Sequence, residues 1–89
     1  MKRIKLSGRE AAVVKAIGFS VATPATEVVE HTNLSREDVV DIVNGLMDVG
    51  YVECMPLRDH IDEACLDEMT LEMNPSYALA LREALRKSW

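Results

Sequence analysis

Apolar residues recur at steps of three and four in four stretches of this chain and at steps of two in a fifth, which predicts four helices and a strand pair. Val13, Val14 and Ile17, with Glu10, share the first helical face. Ser7 with Glu10 three residues on is a capping-box pair, so a helix is expected from Gly8 to about Phe19. Thr23 followed by Pro24 reads as an N-cap and first-turn proline, because proline loses nothing where the N–H has no helical partner. The short helix it opens should run to about His31 and bury Ala25, Val28 and Val29. Thr32 and Asn33 suit a tight turn. Ser35 is the next N-cap, its hydroxyl accepting from the Asp38 N–H while the Asp38 carboxylate reaches back. Val39, Ile42, Val43 and Leu46 line one face of the helix it starts, and Gly50 supplies the left-handed residue that ends it. Leu34, apolar just before the cap, is expected to plug the angle between these two helices, whose short connection is the spacing of a helix-turn-helix.

After Gly50 the period shortens. Met69-Thr70-Leu71-Glu72-Met73 alternates as a strand with one buried face does, and pairs with Tyr51 to Met55 as a two-stranded hairpin. Asn74-Pro75 repeats the cap-plus-proline start, and Ala78, Leu81, Leu85 and Trp89 fall on one side of a last helix. Between the strands, residues 56–68 are longer than a hairpin turn. Ile61, Ala64 and Cys65 have helical spacing with Asp59 as a cap, so either a helical turn or an open acidic loop fits. The fold class is α+β, mainly helical, in a single domain over residues 1–89. Its expected core contains Val13, Val14, Ile17, Val28, Leu34, Val39, Val43, Leu46 and Leu71.

The phrasing L-S-x-E-x-V-x-x-I-V-x-x-L-M-x-x-G-Y-V, from Leu34 to Val52, resembles the recognition helix and first wing strand of MarR- and ArsR-type transcriptional regulators. The likeness extends over residues 7–74 as a winged helix-turn-helix. It implies that the helix from Ser35 to Asp48 enters a DNA major groove, that the hairpin between Cys54 and Met69 touches the backbone or minor groove, and that terminal helices form a dimer. The motif is a pattern of apolar positions and supports the fold more than the activity.

Composition sets the outer limits. Eighty-nine residues with 48% hydrophobic content make one small domain with a single core. No apolar run approaches the ~20 residues of a membrane helix, and the basic start Lys2, Arg3, Lys5 is not followed by the apolar stretch of a signal peptide, so a cytoplasmic location is expected. Cys54 and Cys65 are then expected as reduced thiols. Together with His60 they invite a metal reading, with Asp59 or Asp62 as a fourth ligand, but the spacing matches no compact zinc motif and no metal is expected. His31, at the end of the second helix, suits the helix dipole. No Gly-rich phosphate loop, nucleophile elbow or distinct carboxylate pair is present, so neither enzyme activity nor a cofactor is expected.

Charge changes the functional picture. Residues 1–15 balance to +4 and residues 75–89 to +2, leaving −11 between them, where Arg36 and Arg58 face thirteen acidic residues; the total is −5. On the outer face of the helix from Ser35 to Asp48, Glu37, Asp41, Asn44 and Asp48 form a stripe, and Asp59, Asp62 and Glu63 continue it in the wing. Phosphate neutralisation by Lys and Arg supplies most affinity for duplex DNA, and here that attraction is reversed. Two uses of the stripe stand open: a solvated face with no partner, or a surface for a basic protein partner. The alternative is a dimeric DNA-binding regulator that presents Lys2, Arg3, Lys5, Arg36 and Arg58 to phosphates, with Arg36 and Asn44 reading bases. Leu79 lies off the buried face of the last helix and, with Trp89, gives that helix more apolar surface than one core covers, which points to a homodimer; Trp89 folding back as a lid is the other reading.

Overall fold

A computed structural model describes residues 4–87. Lys2, Arg3 and Trp89 lie outside the described residues. The order is α1 (Gly8–Ile17), β1 (Thr23–Pro24), α2 (Ala25–Thr32), α3 (Arg36–Asp48), β2 (Val52–Met55), β3 (Thr70–Met73) and α4 (Ala78–Lys87). Short 3-10 turns at Leu66–Glu68 and Pro75–Tyr77 precede β3 and α4.

Local chemistry sets most of these boundaries. The Ser7 hydroxyl accepts from the Glu10 N–H and the Glu10 carboxylate accepts from the Ser7 N–H, the reciprocal pair that satisfies two helix-end donors. Gly18, at φ 76°, caps α1, whose last residue Ile17 lies two residues before the expected Phe19. Asn33 takes the left-handed turn position between α2 and α3. The Ser35 hydroxyl accepts from the Asp38 N–H at 3.1 Å. The Asp38 carboxylate, however, faces Arg9 at 3.6 Å rather than the Ser35 backbone. At the other end of α3 the N–H groups of Gly50 and Tyr51 close onto the carbonyls of Met47 and Leu46, a Schellman ending that Gly50 permits at φ 84°.

The sheet has three strands, not the expected two. Its order is β1-β3-β2, all antiparallel. Thr23 is not a cap: its hydroxyl donates to the Ile17 carbonyl at 2.7 Å, at the end of α1, and its backbone sits in the sheet opposite Leu71. Pro24 is tolerated there because β1 is an edge strand that needs no donor at that position. The Ala25 N–H, a first-turn donor of α2, is satisfied by the Met69 carbonyl.

Helices and sheet enclose one core. Val13, Val14, Ile17, Val28, Val39, Val43, Leu46 and Leu71 are buried as expected, and Leu34 is half-buried against them. Val52 and Cys54 from β2, Met73 from β3 and Leu81 from α4 complete it. Residues 56–69 add Ile61, Leu66 and Met69. Ile61 and Leu66 are only 4% and 0% exposed, so the segment between β2 and β3 folds back over the domain instead of projecting as a free hairpin tip. Its 3-10 turn packs against α2.

Candidate functional site

The outer face of α3 and the folded-back segment meet through three polar ties. Asn44, in the third turn of α3, donates from Nδ2 to the Ile61 carbonyl at 2.9 Å, and its Oδ1 accepts from the Ile61 N–H at 2.8 Å. Both ends of one amide therefore hold one residue of the segment, and that residue is anchored in the core. Arg36 donates to Asp67 Oδ1 at 3.0 Å and to the Glu63 carbonyl at 3.1 Å. His60 Nε2 lies 3.0 Å from Asp48 Oδ1, with both side chains well exposed. The Asn44 amide thus commits one donor and one acceptor to Ile61, and Arg36 commits two of its five N–H donors to residues 63 and 67, so both side chains are oriented toward the segment.

The segment's own turn is built around Asp62. The Cys65 N–H donates to Asp62 Oδ1 at 2.9 Å, so Asp62 and not Asp59 caps the helical turn predicted here. The Asp62 N–H in turn donates to Cys65 Sγ at 3.3 Å. The backbone N–H of Cys65, helped by its thiol and by Arg58, holds the Asp62 carboxyl below its ordinary value. A depressed carboxyl stabilises the turn above the ordinary aspartate range and ceases to do so as pH falls through the lowered value. NMR titration should find Asp62 titrating below a model aspartate, with the Cys65 amide resonance moving in step. An Asp62 midpoint at or above that of a free aspartate would contradict this cap.

The sequence-predicted site residues separate into two groups. Glu37, Asp41, Asp59 and Glu63 are exposed carboxylates; Asn44, Arg36, Asp48 and Asp62 are exposed or half-exposed residues whose side chains have intramolecular partners. Arg58 is exposed in the segment, and Lys5 is exposed ahead of α1. Arg9 reaches the first turn of α3 but meets Asp38 there. Cys54, His60 and Cys65 do not converge. The Cys54 thiol is buried beside the carbonyls of Pro56 and Arg58, Cys65 turns to Asp62 and His60 to Asp48. No group of three or more His, Cys, Asp or Glu side chains among the described residues is placed to hold a metal ion. Nor is any helix among the described residues long and apolar enough to cross a membrane.

The ties to Ile61 and Glu63 were not foreseen from the sequence. The one signal available was Asn44 itself, the only uncharged member of an otherwise acidic stripe. On α4, Leu79 is 71% exposed, while Leu81 and Ala84 face the core and Arg82 stacks over the Phe19 ring at 4.9 Å. Beside β2, an open cleft is lined by Met47, Asp48, Glu53, Leu57, Asp59 and neighbouring residues. Set against protein-family models, curated proteins and solved structures, the chain matches none of them.

Proposed function

We propose that this chain is a winged-helix module of the transcription-regulator type that acts by binding a protein with a basic surface, through α3 and the segment between β2 and β3. The observation that carries this reading is the occupation of the two base-reading candidates. Asn44 and Arg36 are tied to Ile61, Glu63 and Asp67, and what remains outward on that side is carboxylate. The winged-helix reading is supported by the three-residue connection between α2 and α3 and by the β2-β3 pair that follows. Opposed potentials steer and orient a basic partner on such a face, whereas they repel phosphate.

A second reading, a dimeric regulator contacting DNA phosphates, is favoured by one feature: Arg9 lies next to the first turn of α3. Salt-dependent binding separates the two. The unmodified protein is expected to capture lysine-rich protein probes with an affinity that falls as salt rises, and to bind mixed-sequence duplex DNA weakly at any salt. Replacing Glu37, Asp41 and Asp48 by their amides should leave the unfolding midpoint nearly unchanged, weaken capture of the basic probe, and raise residual duplex affinity. Submicromolar, salt-sensitive, sequence-selective duplex binding by the unmodified protein would restore the regulator reading.

A further inference from the structure

The outer face of α4 is open to solvent. Leu81 and Ala84 turn toward the core, and Leu79 on the opposite side is 71% exposed. Leu79, Arg82, Leu85 and Arg86 bound a shallow hollow of about 490 Å³. Arg82 and Arg86 are exposed, and neither has a carboxylate within ion-pair distance among the described residues. An apolar centre flanked by two uncompensated guanidiniums complements an acidic surface.

Such a surface lies on α3 of the same chain. Glu37 and Asp41 are exposed and have no ion-pair partner among the described residues, and Gly45, also exposed, continues their line at the next step of four. The segment tied to Asn44 leaves this line open. Glycine inside a helix is less favourable than alanine, yet a Cβ built on Gly45 would meet nothing within 4 Å, so packing within one chain does not require it. A missing side chain does let another chain come close to the backbone. The two helices also match in spacing when they run antiparallel. At a rise of about 1.5 Å per residue, Arg82 and Arg86 stand about 4.5 and 10.5 Å along α4 from Leu79, and Asp41 and Glu37 about 6 and 12 Å along α3 from Gly45. With Leu79 over Gly45, each guanidinium falls beside a carboxylate. In the parallel direction α3 offers only Asp48 beyond Gly45, and Asp48 already faces His60.

From this match we propose that α4 of one copy docks antiparallel on the outer face of α3 of a second copy, with Leu79 seated on Gly45, Arg82 on Asp41 and Arg86 on Glu37. The contact joins two different faces, so each copy carries both halves of it. Two α4 faces laid together would oppose guanidinium to guanidinium, and two α3 faces carboxylate to carboxylate. Copies of net charge −5 repel at long range, and setting the cation stripe on the acid stripe is the orientation that relieves this. The inference rests on the reading of the acidic α3 side as a docking surface, and names a second copy as the basic partner.

Sedimentation of the full chain at rising concentration measures the contact. The unmodified protein is expected to self-associate. Arg82→Glu with Arg86→Glu, or Glu37→Lys with Asp41→Lys, should each weaken association at least about tenfold. An equimolar mixture of the two reversed proteins should associate again, because each offers the other matching faces. Gly45→Leu should raise the unfolding midpoint, the space being open, and yet abolish association by filling the seat. Self-association that survives the α3 reversal, a mixture that stays monomeric, or association unaltered by Gly45→Leu would overturn the proposed contact. So would an unmodified chain that remains monomeric at millimolar concentration. If that monomer still captures lysine-rich probes, the basic-partner reading stands without this contact; if it captures none, both fall.

Discussion

Leu66→Ala is expected to destabilise the protein by about 2 to 5 kcal/mol, as much as Leu46→Ala in the middle of α3, because both side chains are essentially without solvent exposure. The comparison that gives this force lies within the same segment. Leu57, nine residues earlier, is 80% exposed, and Leu57→Ala should cost less than about half a kcal/mol. Chemical denaturation of the three variants measures this directly. A free acidic hairpin tip would make Leu66→Ala as harmless as Leu57→Ala, and that result would remove the segment from the core. The slope of the denaturation curve should stay near that of the unmodified protein, since the surface exposed on unfolding is little altered.

That contrast also marks how far the fold was readable from residues alone. Helix boundaries were legible wherever they are decided within one turn: the reciprocal pair of Ser7 and Glu10, the Ser35 hydroxyl on Asp38, the left-handed Gly50, and the Asn74 side chain on the Ser76 N–H. Burial on the helix faces followed, because a three-to-four step fixes which side chains share a side. Thr23 was misread because its sequence neighbours offered a helix start. Its hydroxyl instead answers the Ile17 carbonyl six residues back, and its strand pairing depends on residues near position 70. No local pattern carries that information.

The candidate site divides along the same line. Acidity of the α3 face was legible from residue types, and Glu37 and Asp41 are indeed exposed. Which stripe residues already have partners was not, since it depends on where residues 56–69 come to rest. Once Ile61 and Leu66 enter the core, Glu63, Asp67 and His60 are brought onto α3 and its polar side chains are drawn into intramolecular bonds. A helix face that reads as a ligand surface in the sequence thus becomes in part a seam within the protein. The surface left for a partner shifts toward the exposed carboxylates.

Asn44 is where that seam is most sensitive to a single change. Asn44→Ala should cost about 2 to 4 kcal/mol, since two hydrogen bonds are lost and the part-buried N–H and C=O of Ile61 are left without their partners. Asn44→Asp is the sharper probe. It keeps the shape and the Oδ1 acceptor for the Ile61 N–H, but replaces the Nδ2 donor by a carboxylate oxygen facing the Ile61 carbonyl at hydrogen-bond distance, in a region already rich in acid. Two acceptors repel, so at neutral pH the near-isosteric variant should be no more stable than the alanine variant, and it should recover as the new carboxyl is protonated and can donate again. Amide exchange adds a local reading. In both variants the Ile61 amide should lose protection before the α1 amides do, because the segment is released from α3 while the helical core still stands. If Asn44→Asp were as stable as the unmodified protein at neutral pH, or if Ile61 exchange did not change, the amide would not be holding the segment, and Asn44 would again be available to a partner.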